Sequence, residues 1–399
     1  MMKIRKALSL FLAFSFVFHT FIFPVFGEES NPSSPSLSAE SAILLEAESG
    51  TVVFEKNAHT RLPMASTTKI MTALVALELA APDTEICVDR RAVGIEGSSI
   101  YLCEGEVLTL EDLLYALMLE SANDAAVAIA IGVAGSEEAF VKAMNAKAVS
   151  LGLSLSHFAN PHGLDDQSHY TTAYELARIA QAALQNPLFK TIVSTKKTTI
   201  PHQNTDGVRL LVNHNKMLRQ YEGCIGVKTG YTQKSGRCLV SAAERDGVTM
   251  IAVTINSPDD WSDHTKLLDY GFSIYRSIEL CPADFCFCLP VVGGNDTYMA
   301  VGISQSVSVT LPIGYPVIEQ TIQCPRHLYA PIKEGDVCGQ MLFLCDINND
   351  GTKEIIKEVP LVAQYSIEKD SAHSSLWQRF RLWWRKLFSK MLHKSIYII

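Results

Sequence analysis

The sequence predicts an α+β domain, then a small all-β domain, then an amphipathic C-terminal helix. Three observations carry this. Residues 41–276 have short apolar, strand-like runs at both ends and helical periodicity between them. Residues 277–365 read as short strands and turns with no helical stretch. Residues 371–399 set aromatic and aliphatic side chains at helical spacing among basic ones. The chain has 399 residues, a formal net charge of −8 and a pI of about 5.8. That length suits two or three domains, and the acidic balance argues against a nucleic-acid partner.

At the N-terminus, Lys3, Arg5 and Lys6 precede the apolar run Ala7 to Phe18, and Val25-Phe26-Gly27 offers small residues for cleavage. Residues 1–27 therefore read as an export signal with the mature chain starting at Glu28; an uncleaved anchor is the alternative. Residues 28–40, rich in Ser and Pro, read as a linker. Ala42 to Leu45 and Thr51 to Phe54 form a predicted hairpin. Pro63 leads into an apolar helix carrying Ile70, Met71, Leu74, Val75, Leu77 and Leu79. Leu108 to Leu119 reads as an amphipathic helix with Thr109 as N-cap, followed by an Ala-rich helix from Asp124 to Ile131. Ser136 caps a further helix, and Thr172-x-x-Glu175 is a capping box for one running to about Leu184.

Strands follow: Val208 to Val212, Ile225 to Thr229, and Arg237 to Ala243 joined to Val248 to Ile255 through Arg245-Asp246-Gly247, a hairpin signal. Asp263 is expected to cap a last helix with Leu267, Leu268, Tyr270 and Phe272. In the β-rich part, Asp346 to Gly351 mimics half of a calcium loop. Lys357 stands where the bidentate glutamate is needed, so a hairpin turn is the better reading. The chain holds ten cysteines; export invites a disulfide reading, and Cys224 with Cys238, on what read as adjacent strands, is the pair it favours. No histidine lies near Cys281, Cys286 and Cys288, so zinc is not indicated. The tail sets Trp377, Phe380, Trp383, Trp384 and Phe388 beside Arg379, Arg385, Lys386 and Lys390, which is too charged to span a membrane and suited to an anionic membrane surface. A helix docked on its own protein is the alternative.

The chemistry centres on Ser66-Thr67-Thr68-Lys69. Positions i and i+3 share a helix face, so a hydroxyl and an amine meet at the start of an apolar helix. Lysine is rarely buried without a task. To take the Ser66 proton Lys69 must be neutral, and moving a lysine pKa from about 10.4 to near 7 costs roughly 4–5 kcal/mol. Burial and a second cation can supply that shift, and Lys228 is the candidate cation. A second copy of the spacing, Ser194 to Lys197, reads as a polar surface turn. The first copy also has two companions, Ser121-Ala122-Asn123 and Lys228-Thr229-Gly230. The three in this order are the signature of active-site-serine enzymes that bind penicillin.

With Asn160-Pro161-His162-Gly163-Leu164-Asp165, Tyr170-Thr171-Thr172-Ala173 and Gly226 to Thr232, these motifs make the chain resemble the low-molecular-mass penicillin-binding proteins. Within these it resembles the D-alanyl-D-alanine carboxypeptidases of the penicillin-binding protein 5 type. The resemblance implies a β-lactamase/penicillin-binding transpeptidase-like catalytic domain. It implies Ser66 as nucleophile, Lys69 as base and Ser121 as proton relay to the leaving D-Ala. Asn123, Lys228, Thr229, Gly230 and Tyr231 would bind the substrate, with the Ser66 and Tyr231 N–H groups as oxyanion hole. It implies a stem peptide ending in D-Ala-D-Ala as substrate, β-lactams as covalent inhibitors, a peripheral place on the outer face of the cell membrane, and no cofactor or metal. The arginine expected to help hold the substrate carboxylate is missing from Ser257 to His264, and Arg237 is another possibility. Two competing readings are a class A-like β-lactamase, which needs a glutamate that the segment Pro161 to Asp166 lacks, and a non-catalytic wall-binding or penicillin-sensing protein.

Overall fold

Ala42 to Leu45 is apolar at successive positions because its strand is covered on both faces. In the computed structural model, which describes residues 33–202, 207–315, 317–346, 350–370 and 381, this run lies in β1 (Ser41–Glu46), buried throughout. The export signal and the amphipathic tail lie outside the described residues apart from Arg381. The Glu46 carboxylate accepts the N–H groups of Glu48 and Ser49 and turns the chain into β2 (Val52–Lys56).

A one-turn 3-10 segment, Ala65–Thr68, feeds α1 (Lys69–Leu79). Next come β3 (Glu85–Cys87) and β4 (Val107–Thr109), a two-stranded ladder. α2 (Leu110–Leu119) starts later than its apolar pattern suggests, because Leu108 pairs with Ile86 in that ladder; Thr109 is nevertheless its N-cap, in a full capping box with Asp112. α3 (Asn123–Ala134) is longer than the expected Asp124 to Ile131, and α4 (Glu137–Ser150) carries the Ser136 cap. α5 (Ala173–Leu184) has only half of the expected box. Thr172 accepts the Glu175 N–H, whereas the Glu175 carboxylate turns away to the N–H groups of Ser154 and Leu155 and the Ser156 hydroxyl.

α6 (Pro187–Ser194) ends at the second Ser-x-x-Lys copy, and Lys197 opens the hairpin of β5 (Lys197–His202) and β6 (Gly207–Val212). After α7 (Met217–Gln220) come β7 (Cys224–Thr232), β8 (Gly236–Arg245) and β9 (Val248–Ile255). Asp246 and Gly247 both take positive φ in the β8–β9 turn, as a two-residue hairpin loop requires. The sheet order β2-β1-β9-β8-β7 is antiparallel throughout, built from both ends of this region as the pattern predicts.

One sheet face packs on α8 (Asp260–Ile274) through Leu44, Leu239, Met250, Leu267 and Leu268, and the other joins the helical core. Asp263 does not cap α8, which starts three residues earlier. Its buried carboxylate accepts the N–H groups of Ser38 and Ala39 and the hydroxyls of Ser38 and Ser257, tying the N-terminal strand's approach to α8. The favoured disulfide is absent: all ten cysteines are free thiols. In the β7–β8 register Cys224 faces Ala243 while Cys238 faces Gly230, which puts the two sulfurs' strand positions roughly 20 Å apart at 3.3 Å per residue.

The remainder is all β among the described residues. β10 (Tyr275–Cys281) follows α8 directly, and then come β11 (Cys286–Val292), β12 (Tyr298–Gly302), β13 (Val307–Pro312), β14 (Glu319–Gln323), β15 (Leu328–Tyr329), β16 (Val337–Cys345) and β17 (Glu354–Ala363). β10 pairs with β13, and the others form a sheet in the order β14-β16-β17-β12-β11-β15 around Met299, Val301, Met341, Phe343 and Leu361. Asp346 accepts the N–H groups of Asp350 and Gly351 in the β16–β17 turn, and Lys357 pairs with Glu48. Residues 347–349 of that turn lie outside the described residues.

Candidate active site

The 3-10 turn makes the site possible. Ala65 takes a left-handed φ of 47°, which costs an L-residue about 1–2 kcal/mol. The chain then turns into α1 with Ser66 at its mouth and Lys69 buried beneath. Lys69 Nζ lies 3.0 Å from Ser66 Oγ, 2.7 Å from Asn123 Oδ1 and 2.6 Å from the His162 carbonyl oxygen. The Asn123 and His162 oxygens can only accept, so they take two of the amine's hydrogens. The remaining tetrahedral position faces Ser66. A neutral amine in this cradle points its lone pair at the Ser66 hydroxyl.

Electrostatics favour that neutral form. Burial pushes the Lys69 pKa well below the usual lysine range, the nearby Lys228 ammonium pushes it further, and Asp124 opposes. Lys228, also buried, is lowered to about 7 by burial, with Glu120 opposing. Its Nζ donates to the Thr229 carbonyl at 2.9 Å. His162 is lowered to about 3 by burial and then by Lys69, so its ring is neutral.

Asn123 is locked from three sides. Its N–H donates to the Ser98 carbonyl at 2.7 Å, and its Nδ2 donates to the Glu96 carbonyl at 2.6 Å while Oδ1 holds Lys69. Asp124, the next residue, accepts from the Ser99 hydroxyl and from the N–H groups of Ile100 and Leu102. The segment 96–102 is thus laid across the start of α3. Arg209 fastens it from β6, bonding the Ile100 carbonyl and pairing with the buried Glu106. Ser121 sits in the α2–α3 joint with a left-handed φ of 58° and is 7 % exposed.

β7 forms the other wall and packs on the Ala65–Thr68 turn. A Cβ on Gly230 would stand 3.0 Å from the Ser66 nitrogen and 3.1 Å from that of Thr67, so a larger residue would push the strand and the turn apart. Strand alternation puts buried Lys228 and half-buried Gly230 on one face, Thr229 and exposed Tyr231 on the other. The structure therefore joins Ser66, Lys69 and Asn123 by hydrogen bonds and brings Lys228 and Gly230 against them. Arg237, opposite Tyr231 in register, is paired with Asp260 at 2.8 Å and lies over the Trp261 ring.

Sequence reasoning missed three contributors: the His162 carbonyl, the Asp124 clamp, and Gly163, whose added Cβ would stand 2.0 Å from the Ala65 oxygen. The stretch Asn160 to Asp165 was visible as a motif, but a backbone acceptor has no side-chain signature.

Comparison with known proteins fits this geometry. Residues 28–259 match the family model described as D-alanyl-D-alanine carboxypeptidase, and residues 287–369 match the penicillin-binding protein 5 C-terminal domain. The D-alanyl-D-alanine carboxypeptidase DacF of Bacillus subtilis is 32 % identical, covering 88 % of this chain and 92 % of its own. DacA of Escherichia coli is 30 % identical over 84 % of this chain and 85 % of its own. Penicillin-binding protein 5 from Haemophilus influenzae superposes with a TM-score of 0.62 at 25 % identity, covering 84 % of this chain and 99 % of that one. The Streptomyces K15 DD-transpeptidase covers 61 % of this chain and all of its own, at a TM-score of 0.58 and 34 % identity. The chain belongs to the D-alanyl-D-alanine carboxypeptidase family: it is a serine-type carboxypeptidase and penicillin-binding protein.

Proposed function

From that membership, we propose that Ser66 is the nucleophile and Lys69 its base in removing the terminal D-Ala from peptidoglycan stem peptides. The observation that carries the reading is the Lys69 cradle: Nζ stands 3.0 Å from Ser66 Oγ, with two carbonyl oxygens taking its other hydrogens. Ser66 Oγ attacks the penultimate D-Ala carbonyl as its proton passes to Lys69 Nζ. The N–H groups of Ser66 and Tyr231 hold the oxyanion. Ser121 passes its proton to the departing D-Ala amine as the C–N bond breaks and is reprotonated by Lys69, which becomes neutral again. Water then attacks the ester carbonyl, gives a proton to Lys69, and Lys69 returns that proton to Ser66 Oγ as the ester C–O bond breaks. Lys228 and Thr229 bind the terminal carboxylate, Asn123 holds the substrate amide, and Gly230 leaves the edge of β7 open to the peptide backbone. A β-lactam enters by the same attack on its ring carbonyl.

The β-lactamase reading is disfavoured: among the described residues no carboxylate hydrogen-bonds Lys69, and the Glu175 carboxylate is held by Ser154, Leu155 and Ser156. Intact protein treated with benzylpenicillin and mapped by mass spectrometry should carry one adduct, on the peptide containing Ser66. An adduct on the peptide containing Ser194, or none, would overturn the assignment.

The proposed organisation is an export signal at 1–27, a linker at 28–40, the catalytic domain at 41–276, the β domain at 277–365 and a membrane-surface helix at 371–399. The family works outside the cytoplasm; peripheral attachment through the tail rests on its aromatic and basic sequence. Truncation after Asp370 should release the mature protein from anionic liposomes while leaving hydrolysis of a soluble D-Ala-D-Ala peptide unchanged. Continued flotation of the truncated chain would rule the tail out as the anchor.

A further inference from the structure

We propose that His169 and Thr68 are positioning residues whose hydrogen-bond relay aims and strengthens the Ser66 N–H as an oxyanion donor. The proposal rests on the reading of Ser66 as nucleophile. Its starting point is that the Ala65 carbonyl and the Ser66 N–H belong to one peptide unit. In a trans peptide these two groups point in opposite directions, so whatever grips the carbonyl aims the N–H.

The Ala65 carbonyl is held by two neighbours. Thr68 Oγ1 donates to it at 2.7 Å. Beside Thr68, Gly163 presses so close that a Cβ there would meet the Ala65 oxygen at 2.0 Å and its carbon at 2.5 Å. Behind Thr68 stands His169, 3 % exposed, with Nε2 2.7 Å from Thr68 Oγ1. The proton positions follow from the partners. The Ala159 N–H reaches His169 Nδ1 at 3.0 Å and can only donate, so Nδ1 accepts and Nε2 carries the hydrogen. At the other end the Ala65 oxygen can only accept, so the single hydroxyl hydrogen of Thr68 goes to it, and Nε2–H must supply the hydrogen between the two side chains. Both ends demand the same tautomer. Burial, which pushes the His169 pKa down to about 4, keeps the ring neutral, so Nδ1 stays free to accept.

The bonds therefore run in one direction: Ala159 N–H to His169, His169 to Thr68, Thr68 to the Ala65 carbonyl, with the Ser66 N–H as the free end. Hydrogen bonds chained this way polarise one another. A polarised carbonyl makes its own N–H a stronger donor, and at the Ser66 nitrogen that donor faces the edge of β7, where Gly230 leaves room. The relay also holds Ala65 in its left-handed conformation, which would otherwise relax and rotate the peptide.

The test uses the intact mature protein, two pairs of variants and three measurements. Thr68→Val keeps the shape and removes the hydroxyl; Thr68→Ser restores it. His169→Leu removes both polar ends; His169→Gln restores one donor and one acceptor. For each, the saturating acylation rate by nitrocefin is measured against its half-saturating concentration. The acyl-enzyme carbonyl stretch is read by isotope-edited infrared with benzylpenicillin labelled at the ring carbonyl. Melting temperature gives the fold check. Thr68→Val and His169→Leu are expected to slow saturating acylation roughly tenfold, about one hydrogen bond's worth, and to move the carbonyl stretch upward. Thr68→Ser and His169→Gln should recover most of both. A lower melting temperature with unchanged stretch and rate in folded Thr68→Val or His169→Leu would make the relay merely structural and overturn the proposal. If neither folds, a stretch in Thr68→Ser and His169→Gln that departs from wild type does the same. A wild-type adduct mapped away from Ser66 would instead sink the reading beneath it.

Discussion

Replacing Lys228 by Met should stabilise the protein below neutral pH while destroying its activity. Lys228 is 1 % exposed, and its pKa falls from 10.5 in the unfolded chain to about 7 in the fold. Between those values the unfolded chain binds more protons, so stability rises with pH there; below pH 7 the full penalty for burying the charge is present. At 1.36 kcal/mol per unit, the penalty is about 5 kcal/mol at pH 6 and about 2 kcal/mol at pH 9. Met fills a similar volume and carries no charge. It forfeits the hydrogen bond to the Thr229 carbonyl, worth about 1 kcal/mol. The variant should thus gain about 4 kcal/mol at pH 6 and about 1 kcal/mol at pH 9. Losing the neighbouring cation also lets the Lys69 pKa rise, which adds in the same direction. Urea denaturation followed by tryptophan fluorescence at pH 6, 7.5 and 9 measures the gap. No gain at pH 6, or a gap that fails to shrink toward pH 9, would refute the account of Lys228 as a buried and costly charge.

Two further outcomes are expected. Lys69→Arg keeps the charge but cannot release its proton, so penicillin acylation at neutral pH should fall roughly 10²–10⁴-fold; acylation at the wild-type rate would mean that charge, not basicity, is what the site needs. Asp263→Ala strands two backbone N–H groups and two hydroxyls that now share one carboxylate, and should cost about 3–5 kcal/mol in urea unfolding, whereas a loss under 1 kcal/mol would show that solvent replaces it freely.

Much of the fold was legible because its signals are local. Apolar runs marked the strands, Asp246-Gly247 marked a hairpin, and Thr109 and Ser136 marked helix starts. The failures share a cause. Glu175 stands at the spacing of a capping box and Asp263 reads in the sequence as a helix cap, yet each carboxylate serves a loop or strand distant in sequence. Cys224 and Cys238 lie on neighbouring strands, but register rather than adjacency decides whether two sulfurs meet. Leu108 belongs to a helical pattern and was taken by a strand ladder.

The sequence by itself determined the chemistry on offer: a hydroxyl and an amine on one helix face, a Ser-x-Asn joint and a Lys-Thr-Gly strand. These depend on residue type and short spacing, which a linear chain displays directly. Only the tertiary structure decided how that chemistry is tuned. It buried Lys69 beside Lys228, lent it the Asn123 and His162 oxygens, and closed Gly163 and Thr68 on the Ala65 carbonyl. Desolvation and backbone acceptors act through space, between segments about a hundred residues apart (Lys69 to His162, Thr68 to His169), so no local pattern could announce them.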